Sequence, residues 1–185
     1  MPAIDHAQVR PLSSIHLDGA VILPNRIAQL DLIPKNGVCV ELGTFKGDFA
    51  ALILQKCQPK KLYLVDIDCQ HVRTRFAAEI DSGLVVCLEG RTSDMVSSVP
   101  NDIDYLYVDA DHSRAGVTQD LHLYTPKVKS SGFVGLNDYT LFDWVQGVEY
   151  GVKHAVHDLC LDHNWKWVAY CLASCDFRDV LITRF

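Results

Sequence analysis

The segment Val38-Cys-Val-Glu-Leu-Gly-Thr-Phe-Lys-Gly-Asp-Phe-Ala50 holds the residues most suited to chemistry. The apolar run Val38–Leu42 leads into Gly43, and an amphipathic stretch begins near Gly47. This reads as strand, glycine turn and helix. Gly43 lets the backbone turn sharply and approach a ligand, and Gly47 lets the helix start against the strand. The loop of Glu41, Gly43, Thr44, Phe45, Lys46 and Gly47 is therefore a candidate ligand site at the C-terminal end of a first strand. A nicotinamide dinucleotide loop needs G-x-G-x-x-G, with a helix N-terminus facing the pyrophosphate. Here the pattern is E-x-G-x-x-x-G, and Glu41 would repel a pyrophosphate. A carboxylate at this point suits a positively charged ligand. No G-x-x-x-x-G-K-[ST] triphosphate loop is present. Without a ligand, the segment is an ordinary strand–turn–helix with glycines.

Further polar groups sit at the ends of later apolar runs. Leu62-Tyr-Leu-Val-Asp66-Ile67-Asp68 places an acid roughly 20 residues after the glycine loop, where it can hydrogen-bond ribose hydroxyls. Asp66 closes the run, while Asp68 can cap the next helix. In Glu89-Gly-Arg-Thr-Ser-Asp94, Thr92 and Ser93 either line an adenine pocket or cap a helix. Ile103–Val108 ends in Asp109, Asp111 and His112, and Gly135-Leu leads into Asn137, Asp138 and Tyr139. If these two runs are neighbouring parallel strands, Asp109, His112, Asn137 and Asp138 converge on one crevice. Asp109, Asn137 and Asp138 are the oxygen ligands a hard cation such as Mg²⁺ or Ca²⁺ takes, and His112 is a candidate general base. The readings without chemistry are capping by Asp111 and Asp138 and a solvated loop at His112.

These side chains must be positioned by an alternation of short strands and amphipathic helices. Val38–Leu42, Leu62–Val65, Leu84–Leu88, Ile103–Val108 and Phe133–Leu136 read as buried strands. Helical faces are expected from Phe49, Leu52 and Ile53, from Val72, Phe76 and Ile80, and from Val117, Leu121, Tyr124 and Val128. A long helix is expected to carry Val145, Val148, Val152, Val156 and Leu159. Two final strands, about Lys166–Leu172 and Asp179–Thr183, are too close for a parallel crossover and must form an antiparallel hairpin. The expected fold is α/β: a Rossmann-like, doubly wound, mostly parallel sheet with a C-terminal antiparallel hairpin. Residues 1–185 read as one domain, with 1–37 as a helical or irregular N-terminal extension in which Ile22–Leu32 forms a helix.

The motifs Val40-Glu-Leu-Gly-Thr-Phe-Lys-Gly47, Val65-Asp-Ile-Asp68 and Val108-Asp-Ala-Asp-His-Ser113, in that order, resemble those of class I S-adenosylmethionine-dependent methyltransferases. Asp109-Ala-Asp-His-Ser, Asp120-Leu, Pro126, Gly132 and Asn137-Asp-Tyr139 are similar to a subgroup of small-molecule O-methyltransferase-like proteins. That subgroup includes macrolide-sugar methyltransferases and cephalosporin hydroxylase-like proteins. The resemblance covers about residues 37–185. It implies S-adenosylmethionine as cofactor, with Glu41, Gly43 and Gly47 in its loop and Asp66 on its ribose. It also implies Asp109 and Asp138 at positions that hold a divalent cation in metal-dependent members, and His112 where the caffeoyl-CoA type carries lysine. Two features depart from the pattern: Tyr139 follows Asp138 where those enzymes have asparagine, and Ser131-Gly132 replaces a Gly-Gly pair. The implied reaction is methyl transfer to a small-molecule hydroxyl, with Asp109 and His112 catalytic. A cofactor-binding protein without transferase activity and a hydroxylase-like enzyme on the same scaffold are the rival readings.

Composition narrows the partners. The net charge of −6 disfavours tight nucleic-acid binding, which needs clustered cations. No apolar run approaches the ~18 residues of a membrane span, and the N-terminus lacks a secretion-signal layout. Seven cysteines without a C-x-x-C pair suggest a reducing cytoplasm rather than a disulfide frame or zinc site. His154, His157 and His163 read as surface or packing residues. A homodimer is expected, because the short chain leaves the acceptor side of the crevice thinly covered.

Overall fold

Strands buried on both faces of a parallel sheet read as nearly continuous apolar runs, and Val38–Leu42 is buried at all its positions. The computed structural model describes residues 9–172 and 178–185. Along the chain come β1 (Val21–Leu23), β2 (Val38–Leu42), α1 (Asp48–Cys57), β3 (Lys61–Asp66), α2 (Gln70–Arg75), α3 (Ala77–Asp81) and β4 (Val85–Glu89). They are followed by α4 (Thr92–Met95), β5 (Ile103–Val108), α5 (Arg114–Tyr124), β6 (Val128–Leu136), β7 (Phe142–Asp143), β8 (Val148–Glu149), α6 (Val152–His163), β9 (Trp165–Cys171) and β10 (Asp179–Arg184).

The main sheet has eight strands in the order β1-β9-β10-β6-β5-β2-β3-β4. From β4 to β6 all neighbours are parallel, and β10 runs antiparallel between β6 and β9. This is the expected doubly wound sheet with its terminal hairpin. The chain leaves β2 toward β3 on one side, while β5 returns on the other. The strand order therefore reverses at β2, where such sheets open a crevice at their C-terminal ends. One face is covered by α5 and α6 through Val117, Leu121, Val156 and Leu159, the other by α1 with Phe49 and Ile53. Among the described residues no helix is long and apolar enough to cross a membrane.

Three local expectations change. Ile22–Leu32 is not a helix: Val21–Leu23 adds as an edge strand parallel to β9, and only a single 3-10 stretch, Ala28–Leu32, follows. Pro24 interrupts the pattern, and the Asn25 side chain accepts from Ile27 N at 3.0 Å and Ala28 N at 3.1 Å, a turn that competes with helix. Val145 and Val148 lie outside α6, in the segment of the small antiparallel pair β7–β8. There Asp143 accepts from Val145 N at 2.7 Å and Gln146 N at 3.0 Å, and Gly147 takes a φ of +72°. Val128 begins β6 rather than ending α5, because Pro126 enters a 3-10 turn and cannot continue the ladder of helix hydrogen bonds.

Candidate functional site

Gly43 sits at the reversal point with φ +81°, a conformation L-residues avoid. Its N–H donates to Val65 O at 2.8 Å, and Asp109 N donates to Leu42 O at 2.8 Å, so the exits of β2, β3 and β5 are tied together. A Cβ on Gly43 would lie 2.1 Å from Asp109 O. The glycine is thus required by the backbone of β5 as well as by any ligand. Gly47, also left-handed at φ +76°, precedes α1 and packs on Phe76.

Asp66 shapes the loop between these glycines. Its Oδ2 accepts from Thr44 N at 2.7 Å and Phe45 N at 2.8 Å, and its Oδ1 accepts from Asp68 N at 3.1 Å. An ionised carboxylate has about four lone-pair sites, so Asp66 retains capacity toward a ligand hydroxyl while holding the loop. Asp66→Ala is expected to release Thr44 and Phe45 and destabilise the protein by about 1–3 kcal/mol. Chemical denaturation checks this. Asp66→Asn, which keeps one acceptor oxygen, should lose less, and equal stability of Asp66→Ala and wild type would refute the role.

Between these loops lies a cleft of about 670 Å³, a size suited to a small molecule. Glu41, Gly43, Thr44, Phe45, Lys46, Asp66, Ile67, Thr92, Ser93 and Asp109 all line it. Phe45 and Ile67 expose 70% and 76% of their surface at its rim, so an apolar ligand surface has somewhere to rest. Glu41 is 1% exposed, and its Oε2 has no hydrogen-bond partner. Burial first, then the nearby Asp109, holds its carboxyl well above the usual range; Arg26 opposes the shift.

Gly47, His112, Asn137 and Asp138 are not among the lining residues. The last three stand behind Asp109, which reaches both the cleft and the cluster. His112 Nε2 lies 3.4 Å from Asp109 Oδ1 and 3.6 Å from Asp138 Oδ2, as ion contacts. Its ring stacks on Tyr150 at 4.7 Å. Burial opposes the charged imidazole, but Asp109 and Asp138 outweigh it and raise the His112 pKa above its ordinary 6.5. Burial lifts Asp138 to about 6. Asn137 donates through Nδ2 to Asp109 Oδ1 at 2.8 Å, and its Oδ1 accepts from Arg26 Nη1 at 2.9 Å.

These contacts correct the expected divalent-cation site at Asp109, Asn137 and Asp138. The amide oxygen of Asn137 is taken by a guanidinium, Asp109 accepts from Asn137, and Arg26 Nη1 stands 4.0 Å from Asp109 Oδ2. The acidic groups are already faced by Arg26 and His112, so they do not fit a metal ion. Among the described residues no group of three or more His, Cys, Asp or Glu is arranged to hold one.

Arg26 and Asp120 are among the cleft residues that sequence reasoning did not place there. Arg26 carries no motif, and its place follows from the β1 edge strand. Asp120 was legible as an acid on the buried stripe of Val117, Leu121 and Tyr124. It accepts from Thr92 Oγ1 at 2.5 Å, and burial raises its pKa to about 6. Thr92 lines the cleft but is not the cap of α4, which Arg91 precedes, and its hydroxyl donates to Asp120. Ser113, not Asp111, caps α5 through Gly116 N at 3.0 Å. His157 is a packing residue, buried on α6 between the Tyr139 hydroxyl and Arg10 O.

Comparison with known proteins shows the fold and the family. An uncharacterized protein of Acanthamoeba polyphaga mimivirus is 28% identical over 131 residues, covering 65% of this chain and 59% of its own. The chain therefore spans about three fifths of that relative. A candidate caffeoyl-CoA O-methyltransferase from Staphylococcus aureus superposes with a TM-score of 0.65 at 16% identity, covering 96% of this chain and 87% of that one. A candidate methyltransferase from Streptococcus mutans, solved with S-adenosylhomocysteine, gives 0.63 at 13%, covering 86% and 95%. A candidate rRNA methylase from Clostridium thermocellum gives 0.67 at 12%, covering 88% and 97%. At these identities the solved structures share the fold alone. The profile described as "Methyltransferase domain" matches residues 40–139, more than half of the sequence, and the chain belongs to that family.

Proposed function

We propose that the cleft binds S-adenosylmethionine and that a small-molecule hydroxyl is methylated at its Asp109 end. The observation that carries this reading is Glu41, a buried carboxyl with an unpartnered oxygen on a cleft lined by the Gly43 loop and Asp66. Such a group is costly unless a cation meets it, and the cofactor's aminoacyl end brings an ammonium. Asp66 meets the ribose, and Ile67 and Ser93 border the adenine.

When bound in this cleft, the cofactor would supply an electrophilic methyl carbon with a sulfide leaving group for transfer to the acceptor oxygen. The protein must hold the acceptor in line with that carbon and remove the hydroxyl proton. Asp109 lies at the cleft with His112 behind it, so the proton leaves the acceptor through this pair. His112 can share it only when neutral. Because its pKa is raised, the rate should climb with pH through a midpoint above 6.5.

The test is methyl transfer from labelled cofactor into a pool of small hydroxyl compounds, followed with pH. His112→Ala is expected to lower the rate by about 10²–10⁴-fold and to lose the rising limb, while S-adenosylhomocysteine binding measured by calorimetry persists. Wild-type rate and pH profile in His112→Ala would refute the role of the pair. Absence of incorporation despite tight cofactor binding would favour a binding protein without transferase activity.

A further inference from the structure

We propose that Arg26 is the resident cation of the acceptor end, and that its guanidinium excludes a divalent metal from Asp109, Asn137 and Asp138. Its position is built rather than incidental. Nη1 donates to Asn137 Oδ1 at 2.9 Å and to the Tyr107 hydroxyl at 3.4 Å. Tyr107 is in turn anchored by donating to buried Asp179 at 2.7 Å. The guanidinium lies over the Phe49 ring at 5.2 Å, and that ring stacks on Tyr107 at 4.0 Å. Arg26 is thus held by a cation–π contact with Phe49 and by hydrogen bonds from Nη1 to Asn137 and Tyr107.

A metal ion would need the Asn137 carbonyl oxygen that Arg26 occupies. It would also meet a fixed positive charge beside Asp109, in a half-buried site where like charges are poorly screened. The Asn137 amide cannot simply turn to offer its oxygen, because its other end donates to Asp109 at 2.8 Å. Arg26 comes from the segment between β1 and the Ala28–Leu32 turn, whereas its partners come from β2–β6 and their loops. The segment before β2 therefore supplies a charge that the family motifs do not contain. Arg26 acts here as a positioning residue, since it fixes Asn137 and Asp109 rather than touching the reacting atoms.

The experiment is Mn²⁺ titration of the cofactor-free protein in mildly alkaline buffer, reading free ion by electron paramagnetic resonance. Wild type should take up no stoichiometric ion. Arg26→Ala and Arg26→Gln should each take up one, at least tenfold more tightly than wild type, and adding Asp109→Asn should abolish the gain. Circular dichroism identifies any variant that fails to fold, and the two substitutions give independent readings. Stoichiometric uptake by wild type that is lost in Asp109→Asn would overturn the proposal. So would uptake by folded Arg26 variants no tighter than wild type. The readout uses neither cofactor nor turnover, so it stands or falls separately from the methyl-transfer reading.

Discussion

Gly43→Val is expected to abolish S-adenosylhomocysteine binding and to destabilise the protein by about 2–5 kcal/mol. The figure combines ~1–2 kcal/mol for a side chain in the left-handed region with ~1–3 kcal/mol for overpacking. A Cβ at this position would lie 2.1 Å from Asp109 O, 2.6 Å from Asp109 C and 2.7 Å from Ala110 Cα. All three are backbone atoms, so no rotamer change relieves the clash, and the exits of β2 and β5 must separate. That separation displaces Asp109 and Glu41 together. Gly47→Ala should be milder, because the nearest atom, at 2.7 Å, belongs to the Phe76 ring, which can shift. Urea denaturation and calorimetry with S-adenosylhomocysteine measure both effects. Wild-type midpoint and affinity in Gly43→Val would contradict the account.

Glu41→Gln should separate stability from binding. Burial raises the folded-state pKa of Glu41 above its ordinary 4.5. The folded protein then binds that proton more tightly than the unfolded chain. The penalty is absent below the ordinary value, grows as pH rises, and is fully present once pH passes the raised folded value. Glutamine does not titrate, so the variant should be more stable than wild type at neutral pH, with the difference vanishing in acid. Binding should move the other way. A charge-assisted contact contributes about 1.5–3 kcal/mol, so losing the carboxylate should weaken S-adenosylhomocysteine binding by about 10–100-fold. Wild-type affinity should rise with pH as Glu41 ionises, with proton release visible in buffers of different ionisation enthalpy. The variant should show neither. Equal affinity for wild type and variant across the pH range would remove the ammonium from Glu41.

The five parallel strands were legible because each is a short Val- and Leu-rich run ending in Gly, Asp or Asn, and burial on both faces demands that composition. Their polar ends followed, since a strand's last residue is also where its crevice opens. Thus Glu41, Asp66 and Asp109 could be placed on one cleft from local pattern and the doubly wound topology alone. Other expectations failed, some to local turns and some to partners distant in sequence. Val145 and Val148 share a helical period with Val152, but that period could not register the Asp143 turn and the Gly147 bend that interrupt it. Thr92 read as a pocket-lining residue or a cap, and only α5 brings Asp120 against its hydroxyl. Arg26 was silent because its site exists only after Val21 pairs with Ala169, across most of the chain. That pairing sets a guanidinium beside Asp109 and Asn137 and turns an apparent metal triad into a charge-compensated cluster. Side-chain type and local spacing determined the glycine loop; long-range strand pairing decided which cation faces its acids, because opposite charges find each other through space and not along the sequence.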